Sequence, residues 1–185
     1  MSATPHAILA TLCYLVSERG DVLSTLMHER KAGEFQQGSW LAFGGKNNRG
    51  ESGEACIQRE FKEETGLSLI NPVLRGKVYF DNRERVFPEG KMYPDNLVDV
   101  FECSNYTGTM KNTLTQVPVW VPNDRLTQLN MPKGDLLILD WMKNSRAYYF
   151  SGVIRYKGEY LSQSEVTFYH QGGKVERIVK DYLQT

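Results

Sequence analysis

Cysteine is scarce in this chain of 185 residues, with Cys13, Cys56 and Cys103 the only three. An odd number of widely spaced cysteines, without a CxxC pair, excludes a disulfide scaffold and suits a reduced, cytoplasmic protein. Histidine is as scarce: His6, His28 and His170 are scattered and form no ligand cluster. Net charge is absent too, because Lys plus Arg and Asp plus Glu both number 22. With no net field and no basic run, neither a nucleic acid polymer nor a membrane surface is an expected partner. Long apolar runs are missing. The stretch Ala7 to Val16 is broken by Thr11 and Cys13, has no basic flank and is too short to span a bilayer, so it reads as a buried strand. No repeat, low-complexity tract or linker divides the chain, and its length suits a single domain over 1–185.

What is present is an alternation of strand and helix patterns. Ile8 to Ser17 and Val22 to Glu29 are β-rich and flank the turn composition Glu18-Arg-Gly-Asp21, which predicts a hairpin. Residues 31–40 read as a loop, and Leu41 to Phe43 as a short strand. A helix is expected from the N-cap Ser52 to Thr65, with Ile57 and Phe61 turned to the core. Leu69 to Phe80 reads as a strand pair broken near Pro72, and residues 81–96 as an unusually long charged loop. Leu97 to Cys103 and Val117 to Val121 read as strands, and 105–116 as turn-like. Leu126 opens a weak helical turn, and Asp135 to Met142 is a buried helix. Tyr148 to Tyr156 and Tyr160 to Tyr169 form a second hairpin. Val175, Ile178, Val179 and Tyr182 have helical spacing, so 174–183 is expected to be a helix. The fold class is α/β on a mixed sheet.

The chemistry concentrates in residues 45–67, GKNNRGESGEACIQREFKEETGL. Glu60, Glu63 and Glu64 stand at i, i+3 and i+4, within an arc of roughly 100° on a helix. Like charges stacked this closely destabilise the helix unless a cation neutralises them. Hard divalent ions take oxygen ligands and are shared between carboxylates and phosphates. The spacing therefore predicts a metal site that works on phosphate. A solvated acidic face is the bland alternative, weakened by the Gly44-Gly45 turn before the helix and by the further acid Glu51.

The string resembles the Nudix box, G-x5-E-x7-R-E-U-x-E-E-x-G-U. Gly45, Glu51, Arg59, Glu60, Glu63, Glu64, Gly66 and Leu67 match at every spacing, with Phe61 as a mild variant at the first U. The resemblance implies an α/β/α sandwich with a mixed β-sheet, and an enzyme that hydrolyses a nucleoside diphosphate linked to another group. It implies that the Gly44 carbonyl with Glu60, Glu63 and Glu64 binds Mg²⁺ or Mn²⁺, and that Glu60 or Glu63 orients or deprotonates water. Arg59 is then expected to pair with Glu51 as a structural link, a phosphate contact being its alternative. Lys46 either supports phosphate or is solvated.

The flanks are similar to the MutT-like branch that hydrolyses oxidised purine nucleoside triphosphates such as 8-oxo-dGTP. Lys31, Phe35, Trp40 and Phe43-Gly44-Gly45-Lys46 fall in step with it, as do Pro118-Val-Trp120, Met131-Pro132 and Phe150-Ser-Gly152. The similarity covers most of residues 7–169, so 170–185 is a C-terminal extension. Phe35 would line a base pocket and Lys31 would approach the substrate. The chain departs from the branch in three places. Leu41 stands where it has a base-reading asparagine, and Met131, Lys133 and Gly134 replace a tryptophan and an acidic pair. Thr115 and Gln116 occupy a stretch where it has a glutamate. Asp135 either reads a purine edge or caps the following helix, and Met131 either packs on a base or fills the core. Asp95, Asp99 and Glu102 are candidates for the missing acid, with surface charge the favoured reading.

The leading expectation is a triphosphate pyrophosphohydrolase releasing monophosphate and pyrophosphate, in the manner of nucleotide-pool sanitation. A hydrolase of nucleoside diphosphate sugars of the ADP-ribose type is the alternative, with loop 81–96 recognising the second moiety. A non-catalytic nucleotide-binding regulator is the third. The expected partner is a nucleotide substrate, and the protein is a monomer or homodimer.

Overall fold

The structure is a computed structural model, and it describes residues 7–31, 37–86, 94–113, 116–144 and 147–182. Eleven strands and two α-helices are found among them. The chain runs through β1 (Ile8–Arg19), β2 (Val22–Glu29), β3 (Trp40–Leu41), α1 (Gly53–Thr65), β4 (Leu67–Ile70), β5 (Val73–Arg85) and β6 (Asn96–Cys103). It continues through β7 (Asn105–Gly108), β8 (Val119–Pro122), a 3₁₀ turn (Asn123–Gln128), α2 (Lys133–Met142), β9 (Ala147–Gly158), β10 (Tyr160–His170) and β11 (Val175–Asp181).

Nine strands form one mixed sheet in the order β11-β10-β9-β5-β6-β1-β2-β3, with β8 also paired to β2; β4 and β7 form a separate ribbon. The β1–β6 and β5–β9 pairs are parallel, while β5–β6, β1–β2 and β9–β10 are antiparallel.

Side chains alternate across a strand, and here the alternation divides two cores. Leu12 and Tyr14 of β1, Met27 of β2 and Val100 of β6 face Ile138, Leu139 and Trp141 of α2. Cys13 and Leu15, Leu26, and Phe101 from the same three strands face Ile57 and Phe61 of α1. The two helices thus cover opposite faces of the sheet, the sandwich that the resemblance implied. A glycine in β9 brings α2 close: a Cβ on Gly152 would collide with the Trp141 ring.

Helix α1 begins and ends where its residues dictate. Ser52 Oγ accepts from the Ala55 amide at 3.2 Å, and Gly66 closes the helix at φ 78°, its amide donating to Lys62 O at 3.0 Å.

Four expectations are corrected. Residues 175–181 are not helical but form strand β11, paired to β10 from Gln163↔Asp181 to Tyr169↔Val175. Two of the apolar residues at helical spacing, Val175 and Val179, are exposed, and within β11 only Ile178 is half-buried and packed against the core. The open edge of β10 supplies the pairing instead. The 81–96 stretch is not one loop either. Strand β5 runs on to Arg85, Asp81 and Asn82 are buried, and β6 starts at Asn96; residues 87–93 lie outside the described residues. The turn-like stretch 105–116 opens with β7, which pairs with β4. Helix α2 also starts two residues earlier than expected, at Lys133.

Candidate active site

The loop between β3 and α1 lies along β1 as an irregular extra strand. Thr11 N donates to Gly45 O and Cys13 N to Phe43 O, both at 2.8 Å, and Asn47 N donates to Leu9 O at 3.0 Å. Gly44 is pressed so closely on this strand that a Cβ would overlap the Thr11 carbonyl. A Cβ on Gly45 would instead occupy the space of the Glu60 carboxylate. The two glycines therefore do different things: Gly44 lets the loop dock on the sheet, and Gly45 lets a carboxylate of α1 approach the loop backbone.

Arg59 ties the loop to the helix. Its Nε and Nη2 each donate to Glu51 at 2.8 Å, its Nη2 donates to Lys46 O at 3.1 Å, and its Nη1 donates to Glu60 at 2.7 Å and to Glu63 at 3.4 Å. Glu51 also accepts from the Asn48 amide at 2.8 Å. The Arg59 bonds, with that amide, hold the Glu51 carboxyl down at about 2. The guanidinium is itself held further charged by Glu51 and Glu60. Its donors are spent on the box, which makes Arg59 a strut.

The three adjacent carboxylates have different environments. The Glu60 side chain is 17% exposed and that of Glu63 is 61% exposed. Glu64 is enclosed, and burial pushes its carboxyl up to about 7, with the Glu60 charge adding to the rise; a bond from Gln116 and the Gly44 backbone oppose it. Gln116 Nε2 donates to Glu64 Oε1 at 2.8 Å, while Glu64 Oε2 is buried without a partner among the described residues. Among those residues no three acidic, histidine or cysteine side chains converge as a finished metal cluster. The components nonetheless fit a hard cation: the donors are all oxygens, Gly45 leaves a cradle at Glu60 that a Cβ would fill, and Glu64 has a buried, unsatisfied oxygen.

A cleft of about 610 Å³ opens beside the box. Gly44, Gly45, Lys46 and Gln116 line one part; Leu41, Phe80, Val98, Pro132, Asp135 and Ile138 line another. Asp135 stands in the first turn of α2, whose N-cap position is Pro132, so the capping reading is corrected. Burial pushes its carboxyl up to about 6, with Arg30 and Arg85 pulling the other way.

Other expected site residues lie elsewhere. Met131 is 6% exposed within the α2-side core, so it is filler, and the neighbouring Pro132 lines the cleft instead. Lys31 lies in a separate hollow with Gln37, Gly38 and Trp40. Phe35 and Thr115 lie outside the described residues. The three candidate acids are engaged structurally. Asp95 is buried rather than at the surface and accepts from Tyr79 Oη and the Asn82 amide. Asp99 pairs with Lys77 and abuts Gly53, and Glu102 pairs with Arg75. His28, Arg30, Phe80, Asn96 and Ile138 line the cleft unforeseen. Only strand and helix alternation, followed across partners far apart in sequence, could have placed them on one side.

The model of the NUDIX domain matches residues 6–142. The chain belongs to the Nudix family, and it is a hydrolase of pyrophosphate bonds. It is 30% identical over 128 residues to the uncharacterized Nudix hydrolase YvcI of Bacillus subtilis, spanning 68% of this chain and 77% of that one. It is 28% identical over 144 residues to the oxidized purine nucleoside triphosphate hydrolase of Danio rerio, spanning 78% and 84%. Among solved structures, the MutT protein of Bacillus halodurans superposes with a TM-score of 0.65 at 23% identity, covering 93% of this chain and 97% of its own. That likeness shows the fold.

Proposed function

We propose that the protein is a divalent-metal-dependent nucleoside triphosphate pyrophosphohydrolase that releases a nucleoside monophosphate and pyrophosphate. One observation carries this reading: Gly44, Gly45 and Gln116, against which the Glu60 and Glu64 carboxylates lie, line one cleft with an apolar wall that bears one half-buried acid, Asp135. A polyphosphate suits the first part and a base the second. The Gly44 carbonyl, Glu60, Glu63 and Glu64 would hold Mg²⁺ or Mn²⁺. When bound, such an ion neutralises polyphosphate charge and acidifies the attacking water. Arg59 keeps the loop and α1 in register. Glu60 is pinned by Arg59 at 2.7 Å, whereas Glu63 is exposed and held at 3.4 Å, so Glu63 is the carboxylate with freedom to accept a proton from water. Lys46 at the cleft mouth favours phosphate, and Leu41, Phe80 and Ile138 favour a base face. An oxidised purine is the preferred class on the flanking similarity, with Asp135 as its polar reader. Three buried thiols suit a cytoplasmic setting, and no helix among the described residues is long and apolar enough to cross a membrane.

The test is a turnover panel of normal and oxidised nucleoside triphosphates, ADP-ribose and sugar nucleotides, with Mg²⁺, Mn²⁺ or chelator, and products separated chromatographically. Monophosphate plus pyrophosphate from a triphosphate, abolished by chelator, is expected. Glu63→Gln should lower kcat at least ~100-fold while sparing nucleotide binding. Cleavage confined to a sugar nucleotide, without pyrophosphate, would replace this reading with the diphosphate-sugar one. Binding without any turnover would make the protein a regulator.

A further inference from the structure

Gln116 has no assigned role, yet it is the residue that reaches across the fold to the most enclosed box carboxylate. Its own backbone is fixed first. Gln116 N donates to Thr113 Oγ1 at 2.9 Å, and Thr113 N donates back to Gln116 O at 2.9 Å. From this clasp, just before β8, the side chain donates Nε2–H to Glu64 Oε1 at 2.8 Å, linking residues 52 apart in sequence. Two oxygens remain, Gln116 Oε1 and Glu64 Oε2, both buried and neither with a partner among the described residues. Gln116 lines the cleft beside Gly44 and Gly45.

A carboxylate with one oxygen fixed by a donor can rotate little, so the second oxygen has a set direction. An unpaired buried carboxylate oxygen beside an unpaired amide carbonyl is costly unless something electropositive completes them. An amide also contributes its donor without adding negative charge to a helix face that already carries three carboxylates. We propose that Gln116 is a positioning residue: by holding Glu64 Oε1 it presents Glu64 Oε2 to a divalent cation. The inference rests on the reading of the box carboxylates as metal ligands. It explains how this chain does without a glutamate in a stretch where its resemblance expects one.

The experiment is Mn²⁺ binding to the full chain without nucleotide, by titration calorimetry and by the loss of the free-ion electron paramagnetic resonance signal. Wild type, Gln116→Met, Gln116→Asn, Glu64→Gln and the Gln116→Met/Glu64→Gln pair are compared, with metal-free unfolding midpoints alongside. Methionine keeps the length and bulk of glutamine and removes the donor; asparagine keeps the donor and withdraws it by a methylene. Both Gln116 variants should weaken Mn²⁺ about 10- to 100-fold, the usual cost of removing an outer-shell partner. Their metal-free midpoints should stay close to wild type. The double variant should bind no more weakly than Glu64→Gln alone, because the glutamine acts through that carboxylate. Activity lost in Gln116→Met should return at saturating metal. Wild-type affinity in Gln116→Met, or additive losses in the pair, overturns the positioning role while leaving the metal site standing. Wild-type protein that binds no Mn²⁺ overturns the metal reading and this inference together.

Discussion

Gly44 and Gly45 are adjacent, alike in sequence, and opposite in what a methyl group would meet. At Gly44 the obstacle is the Thr11 backbone within a hydrogen-bonded strand, which cannot retreat. Gly44→Ala should therefore destabilise the fold by about 3 kcal/mol or more, the upper end for overpacking. At Gly45 the obstacle is the end of the Glu60 side chain, which can swing aside at the cost of its Arg59 bond. Gly45→Ala should unfold within about 1 kcal/mol of wild type yet lose most turnover. Denaturant melts beside kcat measurements separate the two, and equal behaviour of both variants would refute the division of labour. Asp135 gives a second residue-scale expectation, in pH. Its carboxyl ordinarily titrates near 3.8 and is raised to about 6 in the fold by burial. A raised acid disfavours folding when ionised. The penalty is present above pH 6, shrinks as pH falls through 6, and is gone below the ordinary value. Asp135→Asn should thus gain about 3 kcal/mol at pH 8 and about 0.5 kcal/mol or less at pH 4, from ~1.4 kcal/mol per pH unit. A gain independent of pH would mean that Asp135 is not the titrating group. The box was legible at this scale because helical spacing alone stacks Glu60, Glu63 and Glu64. The Gln116–Glu64 bond was not, because a contact over 52 residues depends on where β8 pairs.

At the scale of elements, legibility followed the availability of a core. The N-cap Ser52, the helix end at Thr65 and the core pair Ile57 and Phe61 were readable, since local bonds and one apolar face fix them. Residues 175–181 misled because V-E-R-I-V-K-D satisfies a helical spacing, while the free edge of β10 made a strand the better partner. Strand β5 outran its expected end because β9 pairs with it as far as Arg85↔Gly158, beyond what the charged composition suggested. Helix α2 sits close to β9 because of an absent side chain. Gly152 in β9 leaves the space that the Trp141 ring fills, and Trp141 is 5% exposed with no room to turn. Gly152→Ala should cost about 1–3 kcal/mol. It should also lift α2, which carries Asp135 and Ile138 into the cleft. The nucleotide KM should accordingly rise several-fold more than kcat falls, since the box is fixed to β1 and α1 instead. A variant that loses stability with KM unchanged would show that α2 does not position the base wall.

For the whole molecule, the sheet order separates the extension from the chemistry. Strand β11 is five places from β1, the strand on which the box loop lies. At ~4.8 Å between neighbouring strands, that is a separation of about 24 Å. Nothing in β11 contributes to the cleft. It pairs with β10 alone, through its ladder, the Arg177–Glu165 ion pair at 2.8 Å and the Gln163–Asp181 hydrogen bond at 2.6 Å. Among the described residues of the segment, Ile178 and Tyr182 pack against the core. Its alternating charges suit a strand that ends a sheet, because they discourage a further chain from pairing. Removal of residues 174–185 should therefore leave kcat and KM within about twofold of the full chain, lower the unfolding midpoint by about 2–4 °C for each kcal/mol of lost packing in a domain of this size, and uncover the β10 edge. That uncovered edge lacks the charged strand beyond it, so the shortened protein should associate at concentrations where the full chain does not, as light scattering would report. Lost turnover without association would overturn this account, since it would require the last strand to act on a site five strands away.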